Sequence, residues 1–345
     1  MISITGHDQF TAWQNKVMPP VEEVRPGVWS IPVPFPGNPM RYTLAYLLLG
    51  DGEAALVDPG WESAEGWEAL KAGFAAAGAT ASDITGVVAT HYHPDHLGMA
   101  ARLRAGGSSW MALGERERLP ADWSADMGTF VAGDRTQFTA WGVPEALLGE
   151  VTFRAGQWEG LRSIAEPELR LADGAVLPVA GLAVRVLATP GHTPGHICLL
   201  DTTNSLLLTG DHVLPRITPH VSLEAHGHDN PVGDYLRSLD VLADGNAMEV
   251  LPAHEYRFRG LAARVAELRR HTLGRSGEVA AVLVAGNART VWDVAKELTW
   301  SRGFDSLRHF TLRLALAETA SHLVYLRGQG ATVDIDIPRG ASRVP

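Results

Sequence analysis

Between residues 27 and 60 the chain alternates short apolar runs with Gly and Pro. The segments "GVWSIPVP", "RYTLAYLLLG" and "EAALVDPG" are rich in β-branched and aromatic side chains and are bounded by turn formers, which predicts strands. The period then changes. "SAEGWEALKAGFAAAG" has helical periodicity, with Ser63 placed to cap a helix and Gly78 to stop it. "ITGVVAT" reads as a buried strand, and strand-like runs return from about 169 to 210 in "ELRLADGAVLPVAGLAVRVLATPG", "HICLLD" and "SLLLTGD". After Glu255 the pattern turns helical in "GLAARVAELRRHT", "GEVAAVLVAG", "TVWDVAKELTW" and "HFTLRLALAETASHLVYLRGQG", where Thr290 and Asp293 stand as a capping box. The final "ATVDIDIP" alternates with period two, as a half-buried edge strand or wing does.

Residues 105–165 break this order. They hold Trp110, Trp123, Trp141 and Trp158 between helix-like pieces, "LGERERL" and "VPEALLGEV". Two readings stand: a helical insertion that uses its tryptophans as packing, or a lid whose aromatics wall a substrate pocket. Charge divides the chain elsewhere. Residues 1–256 carry 15 Lys+Arg against 31 Asp+Glu, while 257–345 carry 14 against 8, a balance of +6 in a chain of net charge −10. We therefore expect one domain over 1–256 and a helical one over 257–345.

Composition narrows the class. At 345 residues and 46% hydrophobic the chain can bury a large core, and it has no apolar run long enough to span a bilayer, so a transmembrane protein is excluded. "MISITGHDQFTAWQNK" lacks the layout of a secretory signal. Cys198 is the lone cysteine, so no intramolecular disulfide can form, and a cytoplasmic location is the expectation. Its apolar setting in "HICLLD" predicts an inert buried thiol.

Against this background "ATHYHPDHLG" concentrates His91, His93, Asp95 and His96 after an apolar strand. Imidazole and carboxylate are the ligands of a borderline divalent metal, and a catalytic site keeps a position open for water. Alone, the cluster is as readily a polar turn as a metal site. Three later segments repeat the placement: His192 follows "LAVRVL" on a Pro/Gly turn, Asp211 ends "LLLTGD", and His254 ends "VLPAHE". Four ligand-bearing turns, each after an apolar strand, could gather at one sheet edge.

The series H-x-H-x-D-H, G-H-T-P-G-H, T-G-D and P-A-H resembles the metallo-β-lactamase superfamily, over residues from about 25 to 256. The resemblance implies an α+β fold, a four-layer αββα sandwich of two mixed sheets with helices outside. It implies His91, His93 and His192 on one metal, Asp95, His96 and His254 on a second, and Asp211 bridging them. Asp58 of "ALVDPG" would stand behind the ligands and hold the histidine turn. Two zinc ions are implied, with iron or manganese as alternatives, sharing a hydroxide whose parent water ionises near neutral pH. Asp95 would then shuttle the nucleophile's proton.

The same resemblance sorts the reactions. Asp211 argues against β-lactam hydrolysis, Leu214 replaces the tyrosine that marks acyl-homoserine lactone hydrolases, and His93 stands where oxygen-reducing diiron members carry glutamate. "PAHEY" resembles the hydroxyacylglutathione hydrolases, which makes a dinuclear zinc-dependent ester or thioester hydrolase the leading expectation, acting on a small molecule. A phosphodiesterase or endoribonuclease using the basic, winged-helix-like tail is the alternative, and a metal-stabilised binding module a third. The tail's apolar stripe could also serve a homodimer. His196 and His212 are expected to support the ligands or pack, His220, His226 and His228 to belong to a loop at the substrate entrance or in solvent, and His271, His309 and His322 to be structural.

Overall fold

The computed structural model describes residues 1–117, 119, 127–152, 167–223, 229–245 and 247–338, with backbone alone over 127–131. Among the described residues, seven strands form one sheet in the order β2 (Glu22–Arg25), β3 (Val28–Pro34), β4 (Tyr42–Leu49), β5 (Ala54–Val57), β6 (Gly86–Val88), β7 (Trp110–Gly114) and β8 (Leu169–Leu171). Six more form a second sheet in the order β1 (Ser3–Ile4), β13 (Phe258–Arg259), β12 (Glu249–Pro252), β11 (Leu206–Gly210), β10 (Ile197–Asp201) and β9 (Val184–Ala188). Helix α1 (His7–Asn15) leads into β2, and α4 (Ala100–Ala105) into β7.

Strand period places the core. Along β4, Tyr42, Leu44, Tyr46 and Leu48 point between the sheets toward Val186, Leu199 and Leu251, whereas Ala45 and Leu47 point outward toward Leu70 and Phe74 of α2 (Ala64–Ala76). Both faces are thus buried, which is why β4 reads as a continuous apolar run. The second sheet covers its outer face with α7 (Pro231–Leu242) and the start of α8 (Leu261–Ala285), through Tyr235, Leu239, Leu261 and Leu268. The result is the αββα sandwich of the metallo-β-lactamase fold.

Helix ends follow local chemistry. Ser63 accepts a hydrogen bond from the backbone N–H of Gly66, and Gly78 leaves the helix at φ +73°. Thr290 and Asp293 close the expected capping box at α9 (Val291–Glu297). The helices "GLAARVAELRRHT" and "GEVAAVLVAG" are one continuous α8.

Two expectations change and one holds. "LGERERL" supplies the end of β7 at Leu113 and Gly114 and a turn closed by the Glu117 N–H on Gly114 O rather than a helix, with Arg118 outside the described residues. "VPEALLGEV" does form α6 (Glu145–Val151), preceded by α5 (Met127–Ala140). The tail 331–338 makes no strand and hence no β wing. Ile335 and Ile337 are buried and Asp334 and Asp336 exposed, so the alternation is real, but the segment lies on helices. Its carbonyls are satisfied by side chains: Arg327 donates to Val333 O and Ile335 O, and the Trp141 indole to Pro338 O.

Those helices form one further core. Phe138, Trp141, Leu148 and Val151 of the insertion pack with Val279 of α8, Val294 of α9 and Leu312, Leu316 and Leu323 of α10 (His309–Gly328). Trp141 is fully buried, edge-on to Phe138 at 5.1 Å, and is packing rather than a pocket wall. Trp110 lies against Gly86, while Trp123 and Trp158 fall outside the described residues. Among the described residues no helix is long and apolar enough to cross a membrane.

Candidate metal centre

Topology collects the candidate ligands. β5 and β6 are parallel and joined by the α2 crossover, and β11 and β12 are parallel and joined by α7, so each pair ends at one edge of its sheet. Asp58 follows β5, the histidine cluster follows β6, Asp211 follows β11 and His254 follows β12. His192 lies in the turn between β9 and β10.

The structure brings all seven expected ligand residues together in three groups whose donor atoms lie within 4.8 Å of one another: His91, His93 and His192; His91, His96 and Asp211; Asp95, His96 and His254. In the first, His93 Nδ1 lies 2.8 Å from His91 Nε2 and 3.0 Å from His192 Nε2. His91 and His93 do not converge by strand alternation, as their spacing suggests. β6 ends at Val88, and a bend brings opposite nitrogens of the two rings together before α3 (Pro94–Leu97), which starts on Pro94 and sets Asp95 and His96. Asp211 joins the groups. Its carboxylate lies 3.3 Å from His254 Nε2, 3.5 Å from His96 Nε2 and 3.7 Å from His192 Nε2. Asp95 Oδ2 is 3.4 Å from His254 Nε2 and 3.6 Å from His96 Nε2.

His192, His254 and His96 are oriented from behind. His192 Nδ1 donates to His220 O at 2.7 Å and His254 Nδ1 to Tyr42 O at 3.0 Å, which turns each Nε2 toward the cluster. Asp58 accepts from the Thr90 N–H (2.7 Å) and hydroxyl (2.9 Å) and lies 3.0 Å from His96 Nδ1, so it holds the histidine turn as the resemblance implies. Buried His96 Nε2 and Asp211 Oδ1 stand at ion-pair distances from their neighbours but make no hydrogen bond. Unsatisfied buried atoms of this kind are costly unless a cation takes their lone pairs, so the donor set fits a metal.

Charge is distributed to match. Burial opposes ionisation of Asp95, but His96 and His254 overcome it and bring its pKa down to about 2; the same kinds of neighbour hold Asp211 well below the ordinary carboxylate value. Burial would likewise discharge His254, yet Asp211 and Asp95 raise its pKa to about 10, and Asp211, Asp95 and Asp58 hold His96 well above the usual imidazole value. His91, buried among His96, His93 and His192, is pushed well below it.

Two supports lie around these residues. His196 Nε2 accepts from the Asp211 N–H at 3.3 Å, and Gly210, at φ +48°, lets the turn pass so closely that a Cβ there would meet Thr90 Oγ1 at 2.5 Å and His196 Nε2 at 2.8 Å. Glu117, which the sequence pattern did not single out, is buried and accepts from the Gly195 N–H (2.7 Å) and the Thr193 hydroxyl (2.8 Å), fixing the turn that carries His192. Nothing in "GERER" distinguishes it from its charged neighbours. His212 packs edge-on to Tyr235, His322 is buried against Ser276, and Cys198 is fully buried with its thiol pushed up to about 12 by that burial. His309 is exposed, and His226 and His228 lie outside the described residues.

A sandwich of two sheets with such a cluster at its edge is the architecture of the metallo-beta-lactamase superfamily, whose family model matches residues 39–254; the chain belongs to this superfamily and is a metal-dependent hydrolase. The crystal structure of the metallo-beta-lactamase family protein TTHA1429 from Thermus thermophilus is similar at 33% identity and a TM-score of 0.75, covering 90% of this chain and 96% of that one. The probable metallo-hydrolase YqjP of Bacillus subtilis is 28% identical over 318 residues, 87% of this chain and 92% of that protein. The atrochrysone carboxyl ACP thioesterase of Aspergillus chevalieri is 28% identical over 144 residues, 41% of this chain and 43% of that protein.

Proposed function

We propose that this chain hydrolyses an acyl ester or thioester of a small molecule at a pair of zinc ions, in sites that also suit iron or manganese. His91, His93 and His192 would hold one ion, Asp95, His96 and His254 the other, with Asp211 shared. The observation that carries the reading is the position of Asp211, whose carboxylate lies within 3.3–3.7 Å of imidazole nitrogens belonging to both groups. When bound, the metals supply a hydroxide near neutral pH and positive charge for the oxyanion that develops.

The chain's residues do the rest. Asp95 is ionised at neutral pH, and its side chain is 16% exposed, so it can accept the nucleophile's proton and return it to the leaving group. A thiolate or alkoxide leaving group then departs as a neutral thiol or alcohol. The thioesterase relative supports acyl chemistry, as does "PAHEY". In the tail, Arg264 pairs with Glu267, Arg269 with Asp240, Arg275 with Glu278 and Glu318, and Arg313 with Asp134, so these four cations are engaged within the fold.

The test pairs metal analysis with a substrate panel of thioesters, esters, lactones, β-lactams, phosphodiesters and RNA. We expect about two metal ions per chain and turnover of an acyl substrate, with Asp211→Asn losing at least about 100-fold of that activity, the scale set by removing one electrostatic stabiliser of a transition state. One ion or none per chain refutes the dinuclear site, and turnover of RNA without any acyl substrate refutes the acyl assignment.

A further inference from the structure

The segment that leaves Asp211 does not run free over the surface. Buried Arg264 of α8 donates from Nε to Leu214 O and from Nη2 to Ile217 O, both at 2.7 Å. Further along, Leu223 N–H donates to Ala317 O of α10 at 3.1 Å. The buried Ser321 hydroxyl of α10 lies 2.8 Å from Val221 O, sharing its proton with Glu318 O at 2.7 Å. Val221, Ser222 and Leu223 are themselves buried. Between these attachments, His220 turns its carbonyl the other way, onto His192 Nδ1 at 2.7 Å.

We infer that helices α8 and α10 are part of the metal centre's support: through Arg264, Ser321 and the Ala317 carbonyl they hold segment 214–223, whose His220 carbonyl orients the imidazole of His192. The inference rests on the metal reading above. A ligand histidine binds well only when its second nitrogen is held, because that bond fixes both tautomer and ring orientation. A carbonyl can do this only if its own peptide is held, and here the holding atoms come from residues 50 to 100 positions further along the chain. Arg264 and Ser321 are positioning residues. Their hydrogen bonds go to backbone carbonyls, and they act through the peptide of His220.

Cobalt(II) titration of the full chain, followed by visible absorption and chelator competition, tests this. Arg264→Met keeps the packing of the stem but has no donor for either carbonyl; Ser321→Ala removes one of the two bonds by which α10 holds the segment, that to Val221 O. Each is expected to weaken the ion held by His91, His93 and His192 about tenfold while leaving the other ion's affinity unchanged, the lower end of what loss of an outer partner costs. Ser321→Thr should restore wild-type affinity. Thr319→Ala, nearby on α10 with its hydroxyl bonded to its own helix at Ala315 O, should change neither ion. Variants that bind both ions as the wild type does, or that only lower Tm, overturn the inference, as does an equal loss in Thr319→Ala. Failure of the wild type to bind cobalt would instead bring down the metal reading itself.

Discussion

At the scale of single residues, the cluster is a set of opposed charges waiting for a cation. His96 and His254 have raised pKa values, about 10 for His254, because Asp211 and Asp95 face them, so both imidazoles hold protons at neutral pH in the metal-free chain. A metal binds only to the unprotonated rings, so it must displace those protons. The sign follows: apparent metal affinity rises with pH until His254 has lost its proton near pH 10, and falls steadily on acidification. Calorimetric titration in buffers of different ionisation enthalpy should detect release of about two protons per chain loaded at pH 7. Absence of release would contradict the assignment of His96 and His254 as ligands. The ligand types themselves were legible, because His and Asp after apolar strands are visible in any reading. Which nitrogen of each ring faces inward was not, since that depends on the carbonyls of Tyr42 and His220, which sequence does not distinguish from any other carbonyl.

At the scale of elements, the turn between β9 and β10 is held by a residue from β7's far end. Glu117 satisfies the Gly195 N–H and the Thr193 hydroxyl, and both lose their partner in Glu117→Ala. Leaving buried donors unpaired costs about 1–3 kcal/mol each, so this variant should be less stable by roughly 2–4 kcal/mol in urea unfolding. A change under about 0.5 kcal/mol, the scale of ordinary surface substitutions, would show that Glu117 is dispensable to the turn. Strands β3 to β6, helix α2 and the α9 cap followed their patterns because local period and capping chemistry agreed with the tertiary setting. "LGERERL" and "ATVDIDIP" misled for opposite reasons. In the first, Leu113 and Gly114 continue β7 and the turn bond from Glu117 N–H to Gly114 O replaces the helix that the composition suggests. In the second, the alternation was satisfied without a sheet, by helices on one side and by the side chains of Arg327 and Trp141 on the other.

At the scale of the whole molecule, the insertion and the C-terminal helices share one core, and Trp141 stands where they meet. Trp141→Ala removes its largest fully buried side chain and the indole bond to Pro338 O, and should cost about 3–5 kcal/mol. Limited proteolysis should then open 127–151 and 331–338 together; loosening of one without the other would mean that the two segments are held independently. Charge asymmetry showed that the tail differs from the rest, but not that Arg269 and Arg313 pair with acids outside the tail or that Arg264 bonds carbonyls of the segment behind His192. The sequence by itself determined the strands and the histidines and aspartates that follow them, and its motifs carried the resemblance that implies the sandwich, because strand period and residue type are local properties that survive in a linear reading. Only the tertiary structure decided how the ligands are aimed and what holds them. Those bonds join Asp58 to His96, Glu117 to Gly195, and α8 and α10 to the segment behind His192, between groups that distance along the chain separates and folding alone brings within hydrogen-bond reach.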